Sequence, residues 1–315
     1  MKKNTLAAVA LGSVAMLGLA ACSPASDADP SPSASAAAES QTSEADLAAL
    51  ASIEWAETDG IPELTFESPL TVGDTALLHV ADGDGEVIEE GQQVVLDYVV
   101  YTGSDASVYY STYDTGMPEA VPMEEGQVID ELFTEIVGAN VGDQFLYAFP
   151  DTSSEDVPTR VMAVTASAAV SPLDRAEGAS VDAVEGLPTV TLDDTGAPSI
   201  DFTDAKKPSE LVSQTLIEGD GETVEKGDLV WVNYSGWVWK GEETFDSSWS
   251  TGSSAMFRLT SDQLIEGWVQ GLEGVTVGSQ VLVIVPPDLG YGDQDLDAIP
   301  AGSTLAFVVD VVAAA

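Results

Sequence analysis

The chain carries one stretch twice. Gly83-Asp84-Gly85-Glu86 returns as Gly219-Asp220-Gly221-Glu222. The same offset of 136 pairs Val94 with Val230, Tyr98 with Tyr234, Ile129 with Ile265, Val141-Gly142 with Val277-Gly278 and Pro150 with Pro286. From Gly83 to Asp151, 19 of 69 positions are identical without a gap. A shorter echo precedes each copy, Gly60-Ile61-Pro62-Glu63-Leu64-Thr65-Phe66 and Gly186-Leu187-Pro188-Thr189-Val190-Thr191-Leu192. Whatever the chain folds into must be made twice, each time with a leading segment, and 315 residues suit two domains of ordinary size.

Each copy reads mainly as strands. In the second, Leu229–Tyr234, Gln280–Val285 and Thr304–Val311 are β-branched and aromatic runs. Gly227-Asp228, Lys240-Gly241 and Val277-Gly278-Ser279 punctuate them as turns. One stretch has helical spacing: Leu264, Ile265, Trp268 and Leu272 fall on one face of a single short helix. A sheet needs its apolar face covered, and such a helix covers it. The expected class is α+β, a twisted antiparallel sheet wrapped around one short helix, made twice.

The N-terminal region follows other rules. Lys2 and Lys3 lead an uncharged run from Leu6 to Ala21, shorter than the roughly 20 residues a spanning helix needs. It ends Leu19-Ala20-Ala21-Cys22, which resembles the bacterial lipobox, where the thiol is lipidated and the peptide cut before it. Residues 1–21 are therefore expected to be a signal peptide. Lipidation at Cys22 would place the chain in the bacterial envelope, anchored at the outer face of the cytoplasmic membrane. Ser, Ala, Pro, Asp and Glu dominate the next stretch, so 22–51 is expected to be a disordered tether. The first copy is expected over 52–170, a leading segment or linker over 171–204, and the second copy over 205–315.

Charge and rare residues exclude several functions. Nine Lys+Arg stand against 54 Asp+Glu, a formal net charge of −45. Such a chain has no basic stripe with which to bind nucleic acid. With one His and one Cys, neither a Cys/His zinc site nor a Cys–His or Ser–His catalytic pair is expected, and no metal or cofactor is called for. His79, without Cys or His partners, reads as structural or exposed.

In the second copy the blocks run Val232-Asn233-Tyr234-Ser235-Gly236, Thr244-Phe245-Asp246-Ser247-Ser248, Leu264-Ile265-Glu266-Gly267-Trp268 and Val277-Gly278. Pro287-Asp288-Leu289-Gly290-Tyr291-Gly292 and Ile299–Phe307 complete them. This order resembles the FKBP-type peptidyl-prolyl cis-trans isomerase family, over roughly Leu211 to Val312. The resemblance implies an enzyme that rotates X-Pro bonds of secreted or envelope proteins in an apolar pocket, with no covalent step. It implies Trp268 as pocket floor, with Tyr234, Phe245, Phe257, Leu264, Ile265 and Phe307 as walls. The Ile265 N–H would hold a substrate carbonyl. The Tyr291 hydroxyl would donate to the twisting amide, oriented by Asp246. It also makes a macrolide a candidate ligand.

Departures from the family pattern are Ala255 at a wall position, Arg258 after Phe257, and an acidic loop over 292–298 that favours basic residues beside the client proline. The offset turns Asp246 into Tyr110, Trp268 into Leu132 and Gly267 into Glu131. The first copy also runs from Pro150 to Thr159 without a Tyr-Gly loop, so it is expected to be catalytically silent. The competing class is a client-binding chaperone or scaffold lipoprotein without catalysis.

Overall fold

The computed structural model describes residues 43–153 and 157–315. The expected signal peptide, Cys22 and most of the expected tether lie outside the described residues. Among the described residues, no helix is long and apolar enough to cross a membrane.

The first copy contains α1 (Glu44–Leu50), β1 (Glu54–Thr58), β2 (Ile61–Thr65), β3 (Ala76–Ala81), β4 (Gln93–Thr102), β5 (Val108–Ser111), α2 (Thr112–Thr115), β6 (Glu119–Pro122), α3 (Asp130–Ile136), β7 (Gln144–Pro150) and β8 (Thr159–Val170). The second contains β9 (Ala179–Ser180), β10 (Thr189–Leu192), β11 (Pro198–Asp201), β12 (Val212–Glu218), β13 (Leu229–Val238), β14 (Thr244–Ser247), β15 (Ala255–Arg258), α4 (Glu266–Leu272), β16 (Gln280–Val285) and β17 (Leu305–Ala314). The sheet orders match: β3-β7-β8-β4-β5 with β6 on β4, and β9-β12-β16-β17-β13-β14 with β15 on β13. All pairings are antiparallel. Both central strands bulge at the same place, between Val95 and Leu96 and between Trp231 and Val232. The repeat and the expected fold class are borne out.

β13 is buried along almost its whole length, which explains why its sequence does not alternate. Val230, Val232 and Tyr234 face α4. Trp237 faces the β10–β11 hairpin, which lies across the far side of the sheet over Leu282, Ile284 and Val308. Leu229 and Trp231 face the other copy, packing with Val95, Val312 and Ala313 and against Ala120, Ala168, Val170 and Met256. The corresponding far face of the first sheet is covered by β2 and α1, through Leu64 and Leu50.

The structure overturns or sharpens three expectations. The tether does not reach residue 51: α1 is capped by the Ser43 hydroxyl and buries Leu50 in the first core. Of the two readings of 171–204, leading segment or linker, the contacts favour the leading segment. Leu173 N–H donates to Val312, Asn233 to the Asp174 carbonyl and Ala176 N–H to Asp310, before the hairpin closes the back of the second sheet. Finally, the first copy has more than one short helix, because α2 forms where the second has a 3-10 turn over Ser248–Ser250.

Candidate active site

The site is built on β13 and its neighbours. Because side chains alternate along a strand, Tyr234 shares the α4-facing side with Val230 and Val232. Its backbone N–H donates to the Ser248 hydroxyl, and Ser247 donates to its carbonyl. These two serines therefore fasten β14 to β13 and carry Asp246 into position. Tyr234 then donates its hydroxyl to Asp246 Oδ2 at 2.5 Å. Asp246 thus orients Tyr234 and not Tyr291, contrary to the expectation from sequence.

Trp268 lies in the first turn of α4, only 4 % exposed. Three rings meet it edge to face: Tyr234 at 5.3 Å, Phe257 at 5.7 Å and Phe307 at 5.3 Å between centroids. Phe245 stands against Phe307 at 5.6 Å. Such T-shaped pairs favour one arrangement of the rings over a loose apolar cluster. Leu264, Ile265 and Tyr291 pack half-buried against the same cluster. All the expected pocket residues are therefore brought together.

Two donors at this cluster are free. α4 begins at Glu266, so Leu264 and Ile265 precede the helix and Ile265 is its extended N-cap. The Ile265 N–H meets no acceptor among the described residues, while its carbonyl receives Trp268 N–H at 2.9 Å. Tyr291 is held by its loop: Gly292 N–H donates to Pro287 and Gly302 N–H to Gly292. Its hydroxyl has no hydrogen-bond partner among the described residues. Burial raises the Tyr234 phenol well above its usual range, with the Asp246 hydrogen bond adding to it. Burial, then the Asp246 charge, raise Tyr291. Both stay protonated at neutral pH. A separate shallow groove between β11 and the β13–β14 turn, lined by Ile200, Trp237 and Glu243, shares no residue with this cluster.

Three glycines shape the cluster: Gly236 and Gly267, which stand in the motif blocks, and Gly271, which does not. A Cβ on Gly236 would lie 2.7 Å from Phe245 Cζ and 2.9 Å from Phe307 Cε1, so only glycine lets these walls stand there. Gly267 and Gly271 let α4 sit down on β16, with a Cβ at 2.4 Å from Val285 and 2.8 Å from Val283. The signal was present as a difference between copies: Val100, Glu131 and Glu135 occupy these positions in the first.

The first copy keeps the frame and replaces the contents. Tyr98 N–H still donates to a hydroxyl, that of Thr112. Its own hydroxyl now reaches Glu119, the counterpart of Ala255, at 2.9 Å. Leu132 takes the tryptophan position, and Met162 pairs with Val100 as Phe307 pairs with Gly236. Tyr109, counterpart of Phe245, is exposed, with the Arg160 guanidinium over one ring face at 3.7 Å, itself bound to Asp151 at 3.0 Å. His79, part-exposed, has a carboxylate partner: its Nε2 lies 3.1 Å from Asp143.

An antiparallel α+β fold that presents an aromatic cluster and two donors unpaired among the described residues is equipped to hold a group and reshape it. Comparison with known proteins agrees. The family model for FKBP-type peptidyl-prolyl cis-trans isomerase matches residues 220–312, within the second copy. An FK506-binding protein of Streptomyces anulatus is 39% identical over 118 residues, which is 37% of this chain and 95% of that protein. FkpA, an FKBP-type peptidyl-prolyl cis-trans isomerase of Escherichia coli K12, is 39% identical over 102 residues, 32% of this chain and 37% of that protein. The crystal structure of FkpA from Escherichia coli aligns with a TM-score of 0.31 at 34% identity, covering 40% of this chain and 51% of that one. The chain belongs to the FKBP-type peptidyl-prolyl cis-trans isomerase family. Its chemistry is rotation about X-Pro bonds.

Proposed function

We propose that the aromatic cluster around Trp268 is where this rotation takes place, and that the second copy alone carries it. The observation behind this is the coincidence of the cluster with the free Ile265 N–H and Tyr291 hydroxyl. Amide resonance opposes rotation with a barrier of about 18–20 kcal/mol. An apolar site weakens the charge-separated resonance form of a bound amide, and donors that fit only the twisted geometry lower the barrier further. In this reading Trp268 underlies the proline ring. Phe245, Phe257 and Phe307, with Tyr234 fixed by Asp246, shape the walls. Ile265 N–H anchors a neighbouring carbonyl, and the Tyr291 hydroxyl meets the twisting one. The exposed Asp293, Asp295 and Asp297 favour clients with basic residues near the proline.

The clients are proline-containing polypeptides of the envelope, reached from a lipid anchor at Cys22. Support for the anchor is the lipobox alone, and unchanged membrane association with normal processing in Cys22→Ala would remove it. An FK506-class macrolide would compete for the same walls. A second reading, that the first copy holds clients without turning them over, is favoured by exposed Val108, Tyr109 and Tyr110 on strand β5 at the sheet edge. The direct test is amide NMR of the full chain titrated with an X-Pro tetrapeptide. The Ile265 resonance shifts on binding if the proposal holds; shifts confined to the first copy would contradict it.

A further inference from the structure

The contact between the two copies is built partly from equivalent residues. Val95 corresponds to Trp231 and Ala120 to Met256 by the repeat offset, and Ala168 to Ala313 by strand pairing with those residues. Leu229, Val312, Val170 and Leu173 complete the cluster without counterparts in it, so the interface is only partly self-complementary. One polar contact is also unmatched. Arg258 donates through Nε to the Gly116 carbonyl of the first copy at 2.6 Å, and through Nη1 to the Gly227 carbonyl of its own copy at 3.0 Å. Its counterpart is Pro122, which has no side-chain donor to return the contact. Among the described residues no carboxylate lies within ion-pair distance of Arg258, although the chain is strongly acidic.

Arg258 ends β15, which supplies a wall of the cage. Within this four-residue strand, Ala255 and Phe257 pack toward Trp268 while Met256 packs into the inter-copy cluster. β15 pairs with β13 and with no other strand, and all four of its residues are only half-buried. Its free edge is therefore set by what grips it from outside the sheet.

We propose that Arg258 is a positioning residue for the isomerase. It ties β15, and with it the Phe257 wall, to the first copy, so that the silent copy holds the working pocket in shape. The inference rests on reading the Trp268 cage as the isomerase site. A planar guanidinium suits this role because its fixed fork reaches two carbonyls at once.

The test uses the full chain and an X-Pro tetrapeptide, well below the unfolding temperature. Arg258→Ala loosens the clamp from the second copy, Val95→Asp opens the interface from the first, and Trp268→Leu serves as the control. Arg258→Ala and Val95→Asp are expected to raise KM by about three- to thirtyfold with kcat changed less than about twofold. Arg258→Lys should recover part of the loss, and the double variant should be no worse than the worse single. Should Val95→Asp fail to fold, Arg258→Gln replaces it, with the same KM shift expected. Wild-type KM in the clamp and interface variants, with Trp268→Leu inactive, would overturn the inference while sparing the cage. Wild-type activity in Trp268→Leu would overturn both.

Discussion

At the scale of single residues, the pocket separates structural from free polar groups. Tyr234 is committed to Asp246, whereas the Tyr291 hydroxyl has no partner among the described residues. Tyr291→Phe should therefore leave the unfolding temperature unchanged and lower kcat/KM, by about 0.5–1.5 kcal/mol for one neutral hydrogen bond. Both phenols are raised by burial, so neither titrates near neutrality. A rate profile that stays flat between about pH 6 and 8 is expected, and a limb near pH 7 would show a titrating base. Acid acts on carboxyls outside this cluster, Asp151 of the first copy among them. The Ser153 hydroxyl and then Arg160 hold the Asp151 carboxyl below its usual range. That stabilisation is present above the unfolded pKa of about 4 and is lost as pH falls through the lower folded value. Unfolding followed against pH should show this loss disappear in Asp151→Asn.

Among the elements, the height of α4 above the sheet decides where Trp268 stands. Gly267→Ala would place a methyl against Val285, and overpacking of this kind costs about 1–3 kcal/mol. We expect KM to rise as the floor shifts, and Val285→Ala to restore it by making room; a double variant no better than the single would show that the helix position is set elsewhere. The sequence made the strands, the helix and the cage aromatics legible, because strand runs, one helical stripe and the order of Tyr234, Phe245, Trp268, Tyr291 and Phe307 are all local. It did not reveal which partner Asp246 takes, since Tyr234 and Tyr291 both come near through folding. Nor did it reveal α1, whose Ala-rich seven residues look like tether until Leu50 finds a core. The unbroken apolar character of β13 was visible, but not that a helix, a hairpin and a second domain divide its two faces among them.

For the whole molecule, the two copies meet in one apolar contact and have unequal contents. The leading segment belongs to the sheet it covers, so a fragment over 171–315 should unfold at a higher temperature than one over 205–315. The shorter fragment uncovers Leu282, Ile284 and Val308, each worth about 1.5–3 kcal/mol when buried. Equal melting temperatures would show that the hairpin is only resting on the sheet. The central claim is that turnover belongs to the second copy and that the first is silent. It is tested most directly by the isomerisation rate of an X-Pro tetrapeptide with the full-length double variant Trp268→Leu/Tyr291→Phe, in which the first copy is untouched. The rate is expected to fall to that of the uncatalysed peptide, tens to hundreds of seconds per event. Turnover near that of the unaltered chain would place catalysis outside the Trp268 cage and contradict the claim.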